Sequence, residues 1–229
     1  MKKAAIAIIM IITLAMGALQ GNAQEAKYKF DIGGGIGLSG YLGDVNESNL
    51  YKHPGISAEA SFRYKANTRL AIRGIFKAVS LSGNSSDFGI VFPEGKTYEF
   101  SSWVYDLGAR AEFNFFGYGI GETYKRLKRW SPYLSVGAGV TMSSSDGNSS
   151  FAMNLPMGFG VKYKLRQRLN LGVEFTMTKV FGDKVDGENI NDLYQIKSSM
   201  IKNSDWYSTL TFSITYEFGE RCETCHYVD

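Results

Sequence analysis

The chain has 229 residues, with 25 basic against 22 acidic side chains, four prolines, 26 glycines and 14% aromatic content. That near balance of charge excludes the basic excess on which nucleic-acid binding depends. Aromatic- and glycine-rich composition with little proline favours strands and turns over helices.

The N-terminus reads first. Met1-Lys2-Lys3 is a short basic start, followed by the apolar run "AAIAIIMIITLAMGAL" and a small-residue site ending at Ala23. This is the layout of a secretory signal peptide, with cleavage after Ala23 and small residues at Gly21 and Ala23. No Cys lies near the site, which disfavours a lipoprotein anchor. An uncleaved membrane helix is disfavoured because the run is short and small residues follow it directly. The mature chain, about 205 residues, is one domain's worth. Without Lys2 and Lys3 it keeps 23 basic against 22 acidic groups. No later apolar run approaches the roughly 18 residues of a membrane helix.

Beyond the signal peptide, segments alternating with period two recur. In "YKFDIGGGIGLSG" (28–40), Tyr28, Phe30, Ile32, Ile36 and Leu38 share one face. "ISAEASFRY" (56–64) sets Ile56, Ala58, Ala60, Phe62 and Tyr64 against Ser57, Glu59, Ser61 and Arg63. "LAIRGIFKA" (70–78) sets Leu70, Ile72 and Phe76 against Arg73 and Lys77. The fourth segment, about 98–116, contains "WVYDLGARAEFNFF", with Trp103, Tyr105, Leu107, Phe113 and Phe115 on one side and Asp106, Arg110 and Glu112 on the other. "YLSVGAGVTM" (133–142), "FAMNLPMGFGVKYKL" (151–165), "LNLGVEFTMT" (169–178) and "WYSTLTFSITYEF" (206–218) continue the pattern.

Eight alternating strands, each long enough to cross the hydrocarbon at its tilt, predict an all-β fold: an eight-stranded antiparallel transmembrane β-barrel of the OmpA/OmpX kind. A soluble sandwich or lipocalin-like barrel also alternates, with the apolar face inward. Volume decides against it, since eight strands enclose a narrow interior. The apolar parity is crowded with Phe, Tyr, Met and Leu, while the other is rich in Gly, Ala, Ser and Thr, so the bulky set belongs outside. The expected organisation is a signal peptide at 1–23, a barrel at 24–219 and a periplasmic tail at 220–229. Connections support this: tight turns "KANT" (65–68) and "RQR" (166–168) alternate with long loops at about 41–54, 80–97 and 179–205. Two connections fit less well, a short third external loop at about 143–150 and a long, basic middle turn, "GYGIGETYKRLKRW" (117–130).

With the bulky face outward, the lumen receives Asp31, Glu59, Asp106, Glu112, Glu174 and Glu217 against Arg63, Arg73, Lys77, Arg110, Lys162 and Lys164. Six acids facing six bases read as a paired structural network, because an unpaired buried charge is expensive. The same narrowness disfavours a wide pore and a substrate-sized catalytic cavity. Catalysis at the outer rim would need His53 with Ser57 or Asp44. A lone rim histidine is more simply a loop residue, so no catalytic group, metal, cofactor or small-molecule substrate is expected. The tail "GERCETCHYVD" holds the only cysteines, Cys222 and Cys225, beside His226. A zinc site lacks a fourth ligand, and a redox CxxC lacks its helix start. A local disulfide or a crosslink to a partner fits an oxidising compartment better.

In order and spacing, "YLGD", "FRYKANTRLAIR", "WVYDLGARAEFNFF", "SPYLSVGAGV", "PMGFGVKYKLRQRLNLGVEF" and the Cys-bearing end after "YEFG" resemble the PorG-type (DUF6089-like) outer-membrane proteins of Bacteroidetes. The resemblance spans most of the mature chain. It implies a non-catalytic component of the type IX secretion system that tethers the machine's periplasmic ring to the outer membrane. The partners it implies are outer-membrane lipid and periplasmic ring proteins, not nucleic acid. On this chain the ring contact is expected at Lys125, Arg126, Lys128 and Arg129 of the middle turn, with Cys222 and Cys225 of the tail. The paired cysteines depart from the single Cys expected near that end. The alternative is a generic OmpA/OmpX-like barrel giving envelope integrity or adhesion through its external loops.

Overall fold

The computed structural model describes residues 26–42, 54–84, 99–120, 127–145, 148–181 and 206–220. Their strands are β1 (Tyr28–Leu42), β2 (Gly55–Lys65), β3 (Leu70–Asn84), β4 (Glu99–Asn114), β5 (Trp130–Ser145), β6 (Asn148–Lys164), β7 (Leu169–Phe181) and β8 (Trp206–Glu220). Each pairs antiparallel with the next, and β8 returns to β1, closing a barrel with no free edge. The register sets the tilt. Partners followed from Phe30 through Tyr64, Ile72, Ala111, Val136, Met157, Met177 and Ser208 return to β1 at Gly40, ten residues further along the strand. Strands staggered in this way lean steeply against the barrel axis, and their inward side chains fill the interior.

The outer wall is apolar and the inside polar, the reverse of a water-soluble core. Ile36 and Phe151 are each 74% exposed, and Ile32, Leu107, Val136, Phe159 and Ile214 project the same way. All twelve charged residues assigned to the inward parity are buried. Such an exterior is stable only against a hydrocarbon solvent, which also requires every backbone group to pair internally. The closed ladder meets that demand. The fold is the eight-stranded outer-membrane type of barrel.

Strand β1 curls tightly against β8, and its glycines make this possible. A Cβ on Gly33 would lie 2.2 Å from the carbonyl oxygen of Ile214, and one on Gly37 would lie 2.2 Å from that of Leu210. Neither carbonyl can move without breaking the ladder.

One end of the barrel carries the β2–β3, β4–β5 and β6–β7 connections together with the first and last strand ends, and is called here the turn end. The β2–β3 turn is held by the Asn67 side chain, whose Oδ1 accepts from the Arg69 and Leu70 N–H groups at 2.8 and 2.7 Å. The opposite, loop end carries the connections 43–54, 85–98 and 182–205.

Several sequence expectations are corrected. Strands β3, β5 and β7 run further toward the loop end than the patterned cores suggested. The third connection is shorter than the expected 143–150: Ser145 of β5 pairs with Asn148 of β6, and the two residues between them in sequence, Asp146-Gly147, are a hairpin signal. Lys65, assigned to the "KANT" turn, is the last residue of β2 and points into the lumen, where it reaches Glu217 at 2.5 Å. Tyr28, placed on the outer face, is buried, with the Arg168 guanidinium 5.3 Å from its ring centroid. Residues 1–23, expected as a signal peptide, and Asp44, His53, Lys125, Arg126, Cys222, Cys225 and His226 lie outside the described residues, as do most residues of the tail.

Candidate functional site

The lumen is layered from one end to the other. Its middle is a connected set of ion pairs. Arg63 directs one Nη at both oxygens of Asp31, each at 2.8 Å, and its Nε at Glu112, also at 2.8 Å. Glu112 takes Arg73 Nε at 2.7 Å and Lys162 Nζ as further partners. Arg73 continues to Glu174, which also accepts from Tyr133 and Ser135 at 2.8 Å each and lies 3.4 Å from Arg110. Toward the turn end, Glu217 is shared by Lys65 and Lys164 at 2.5 and 2.6 Å. Toward the loop end, Lys77 pairs with Glu59 at 3.1 Å. Asp106 accepts from Thr141 at 2.7 Å, Asn154 at 3.1 Å and the Tyr207 hydroxyl.

Pleating explains why these groups meet. Inward residues fall every second position, and the register brings Asp31 opposite Arg63 and Glu59 opposite Lys77. Sequence reasoning sorted the charges by parity but missed Lys65, which extends the same parity by one step. A carboxylate shared by two or three cations cannot take up a proton without leaving those cations unmatched. The network therefore fills the middle of the lumen with matched charges.

Nearer the loop end the lumen turns apolar. Val79, Leu81, Val104, Val180 and Tyr207 form one buried cluster, with Ala152 packed against it. They share the inward parity of the charges, and their bulk seals the bore above Asp106.

The turn end is capped by the middle turn. Lys128 N–H donates to the Gly117 carbonyl at 2.8 Å, and Gly119 N–H donates to the Lys128 carbonyl at 3.0 Å. This short parallel bridge drives Tyr118 into the barrel mouth. There its hydroxyl donates to Asn170 Oδ1 at 2.8 Å, and its N–H donates to the Thr68 carbonyl at 3.3 Å. Burial pushes the Tyr118 hydroxyl well above the ordinary tyrosine value, so it remains a protonated donor. The cavity left beneath it, lined in part by Asp31, Lys65, Lys164 and Glu217, is about 60 Å³, room for a few waters only.

Around this cap the rim is cationic. Among the described residues, the exposed charges at the turn end are Lys27, Lys29, Arg69, Lys128, Arg129, Arg166 and Arg168 against a single acid, Glu220. Arg168 fastens the seam between β7, β8 and β1: it donates to Tyr28, Tyr216 and Glu220 at 3.4, 3.3 and 3.2 Å. The Arg168 hydrogen bond to Glu220 holds that carboxyl below the usual carboxylate value. Of the expected partner residues, Lys128 and Arg129 sit on this rim, and the Lys128 ammonium lies 3.9 Å from the Phe116 ring centroid.

Comparison with known proteins agrees with the fold. The chain belongs to the family described as a domain of unknown function, DUF6089, whose model matches residues 3–227. No curated protein matches the sequence significantly. Among solved structures, Neisserial surface protein A is similar with a TM-score of 0.53 at 16% identity, covering 82% of this chain and 97% of that one. Ail of Yersinia pestis has a TM-score of 0.45 at 14% identity, covering 84% and 100%. OprG of Pseudomonas aeruginosa has a TM-score of 0.42 at 12% identity, covering 85% and 98%.

Proposed function

We propose that this barrel is a non-catalytic outer-membrane component of a type IX protein secretion machine, and that it anchors the machine's periplasmic ring to the outer membrane. The observation that carries the reading is the contrast between a filled bore and a built rim. The lumen is occupied by paired charges, closed by an apolar layer on one side and by Tyr118 on the other. Among the described residues, the cationic surface stands at the turn end, where Tyr118 and Lys128 of the middle turn bridge over the barrel mouth. The sequence resemblance supplies the machine, and the long turn supplies a surface for it. In this reading both ends of the chain and the turn end face the periplasm. The contact with the ring is made by Lys125, Arg126, Lys128 and Arg129 together with the tail that carries Cys222 and Cys225, and the barrel uses no cofactor.

The experiment is to shorten the turn at 119–127 and remove residues 221–229 in the native host. Co-purification of ring proteins with the barrel and secretion of cargo are then measured. Both should be lost while the barrel still reaches the outer membrane. Secretion at the normal level would sink the proposal. The second reading, an OmpA/OmpX-like barrel in structural or adhesive service, draws on the likeness to a Neisserial surface protein. It predicts the reverse: intact secretion after those cuts, and altered adhesion when the loops at the other end are trimmed.

A further inference from the structure

On one sector of the turn end the rim cations stand on the aromatic belt of the outer wall. Lys128 Nζ sits 3.9 Å over Phe116, and the Phe116 ring packs edge-on against Trp130 with centroids 5.2 Å apart. Trp130 is exposed, and its register partner on β6 is Tyr163, exposed as well. The Arg129 carbonyl accepts from Lys164 N–H at 2.7 Å, which binds the middle turn to the β6–β7 hairpin, where Arg166 is exposed. Three cations and three aromatic rings thus occupy adjoining positions on β4, β5, β6 and their connections. Glu220, the one exposed acid described at this end, is already engaged by Arg168.

We infer that Lys128, Arg129 and Arg166 bind the phosphate of an anionic phospholipid, with Trp130 and Tyr163 set against the glycerol and upper acyl region of the same lipid. Two features favour lipid over an acidic protein. First, the Phe116 ring under Lys128 packs on Trp130 of the outer wall, and the wall in this sector (Tyr163, Phe115, Phe159, Val161) consists of exposed groups suited to hydrocarbon. Lys128, stacked on Phe116, is joined through that ring to Trp130 of the belt. Second, an anionic headgroup brings net negative charge to a place with no described acid of its own, whereas a zwitterionic one brings its own ammonium. The inference goes beyond the secretion reading, which gives the middle turn to a protein. Of the residues given to the ring in that reading, Lys128 and Arg129 are here given to lipid on the belt side of the turn, and Lys125 and Arg126 precede them in the chain.

The test uses the purified full-length barrel without ring proteins. It is equilibrated in mixed micelles with equimolar phosphatidylglycerol and phosphatidylcholine, and the lipids retained are counted by native mass spectrometry. Phosphatidylglycerol should be enriched on the wild-type protein. The Lys128→Glu, Arg129→Glu, Arg166→Glu triple variant should lose that enrichment by about tenfold or more. A Lys27→Glu, Lys29→Glu, Arg69→Glu variant, which carries the same change of charge elsewhere on the rim, should keep it. Heat-dependent migration on SDS gels verifies that each variant is folded. Excess inorganic phosphate should not displace the lipid, since it lacks the acyl chains. Equal losses in the two variants would reduce the effect to net charge and overturn the site. Enrichment unchanged in the first variant would remove these cations from lipid binding and overturn the site too. The readout contains no ring protein, so its failure leaves the secretion reading standing.

Discussion

Replacing Glu112 by glutamine removes one negative charge from the most crowded point of the lumen. Its carboxylate accepts from Arg63 Nε at 2.8 Å and Arg63 Nη2 at 3.2 Å, has Arg73 Nε at 2.7 Å, and holds Lys162 Nζ. It is 1% exposed, so water cannot replace it. Glutamine fills the same volume and keeps one acceptor oxygen, but it turns N–H groups toward two guanidinium ions and an ammonium. Each close pair carries roughly 5 kcal/mol of attraction at an effective dielectric near 20, and part of it is recovered as Arg63 and Arg73 lean on Asp31 and Glu174. The net expectation is the usual cost of breaking a buried pair from one side, about 3–5 kcal/mol. Urea unfolding of the protein in lipid vesicles, followed by tryptophan fluorescence and by the shift between folded and unfolded bands on unheated gels, measures it. Adding Lys162→Met to Glu112→Gln should return about 1 kcal/mol or more, because it removes one of the stranded cations. A loss below about 1 kcal/mol for the single variant, or strict additivity of the two changes, would refute the view that these groups act as one cluster.

Three further outcomes follow from the same geometry. Gly37→Val pushes a side chain into the Leu210 carbonyl; the cost should exceed the 1–3 kcal/mol (about) of ordinary overpacking, and the compact, heat-modifiable form should fail to appear on gels. Tyr118→Ala opens the turn end alone, so planar-bilayer recordings should remain at baseline while the layer of Val79, Leu81, Val104, Val180 and Tyr207 stays in place; a steady conductance would show that this layer does not seal. Glu220 is held below its ordinary 4.5 by Arg168, so its contribution to the β7–β8–β1 seam is present above that pH and fades as pH falls through the lower folded value. A carboxyl carbon titration should place its midpoint below 4.5 and move it back up in Arg168→Ala.

The barrel was legible because its two solvents differ so sharply. Ile32, Ile36, Leu107 and Phe159 alternate with Gly, Ser and charged residues for a physical reason: lipid meets one face of the pleat and a bore with little room meets the other. The features that escaped all sit where this contrast fades. Val79, Leu81, Val104 and Val180 are apolar on the inward parity, so the alternation blurs toward the loop end, and the strand there reads as loop. Lys65 abuts Ala66-Asn67, whose turn chemistry hides that it still belongs to the ladder. Tyr28 follows the outward parity, yet Arg168, 140 residues away, covers it; no local pattern carries that contact. The middle turn showed its charge and length in the sequence but not its anchorage, since the bond from Tyr118 to Asn170 spans 52 residues. The Asp146-Gly147 turn signal between β5 and β6 is blurred by the serines on either side of it.

The division of labour between bore and rim has a consequence for how the chain tolerates change. Inside, each carboxylate serves several cations, so a single loss is felt by strands that are not neighbours: Glu112 on β4 ties β2, β3 and β6 together. On the rim, Lys128, Arg129 and Arg166 hold no acid among the described residues, and their loss removes no ion pair among those residues. Exposed charges of this sort contribute little to stability. Charge reversal at the rim should therefore alter binding with the barrel intact, whereas neutralisation in the lumen should unfold the barrel before any binding defect is seen. A rim variant that unfolds as readily as Glu112→Gln would mean that the turn end is part of the closure itself, and that its cations are held by contacts the belt and the mouth do not supply.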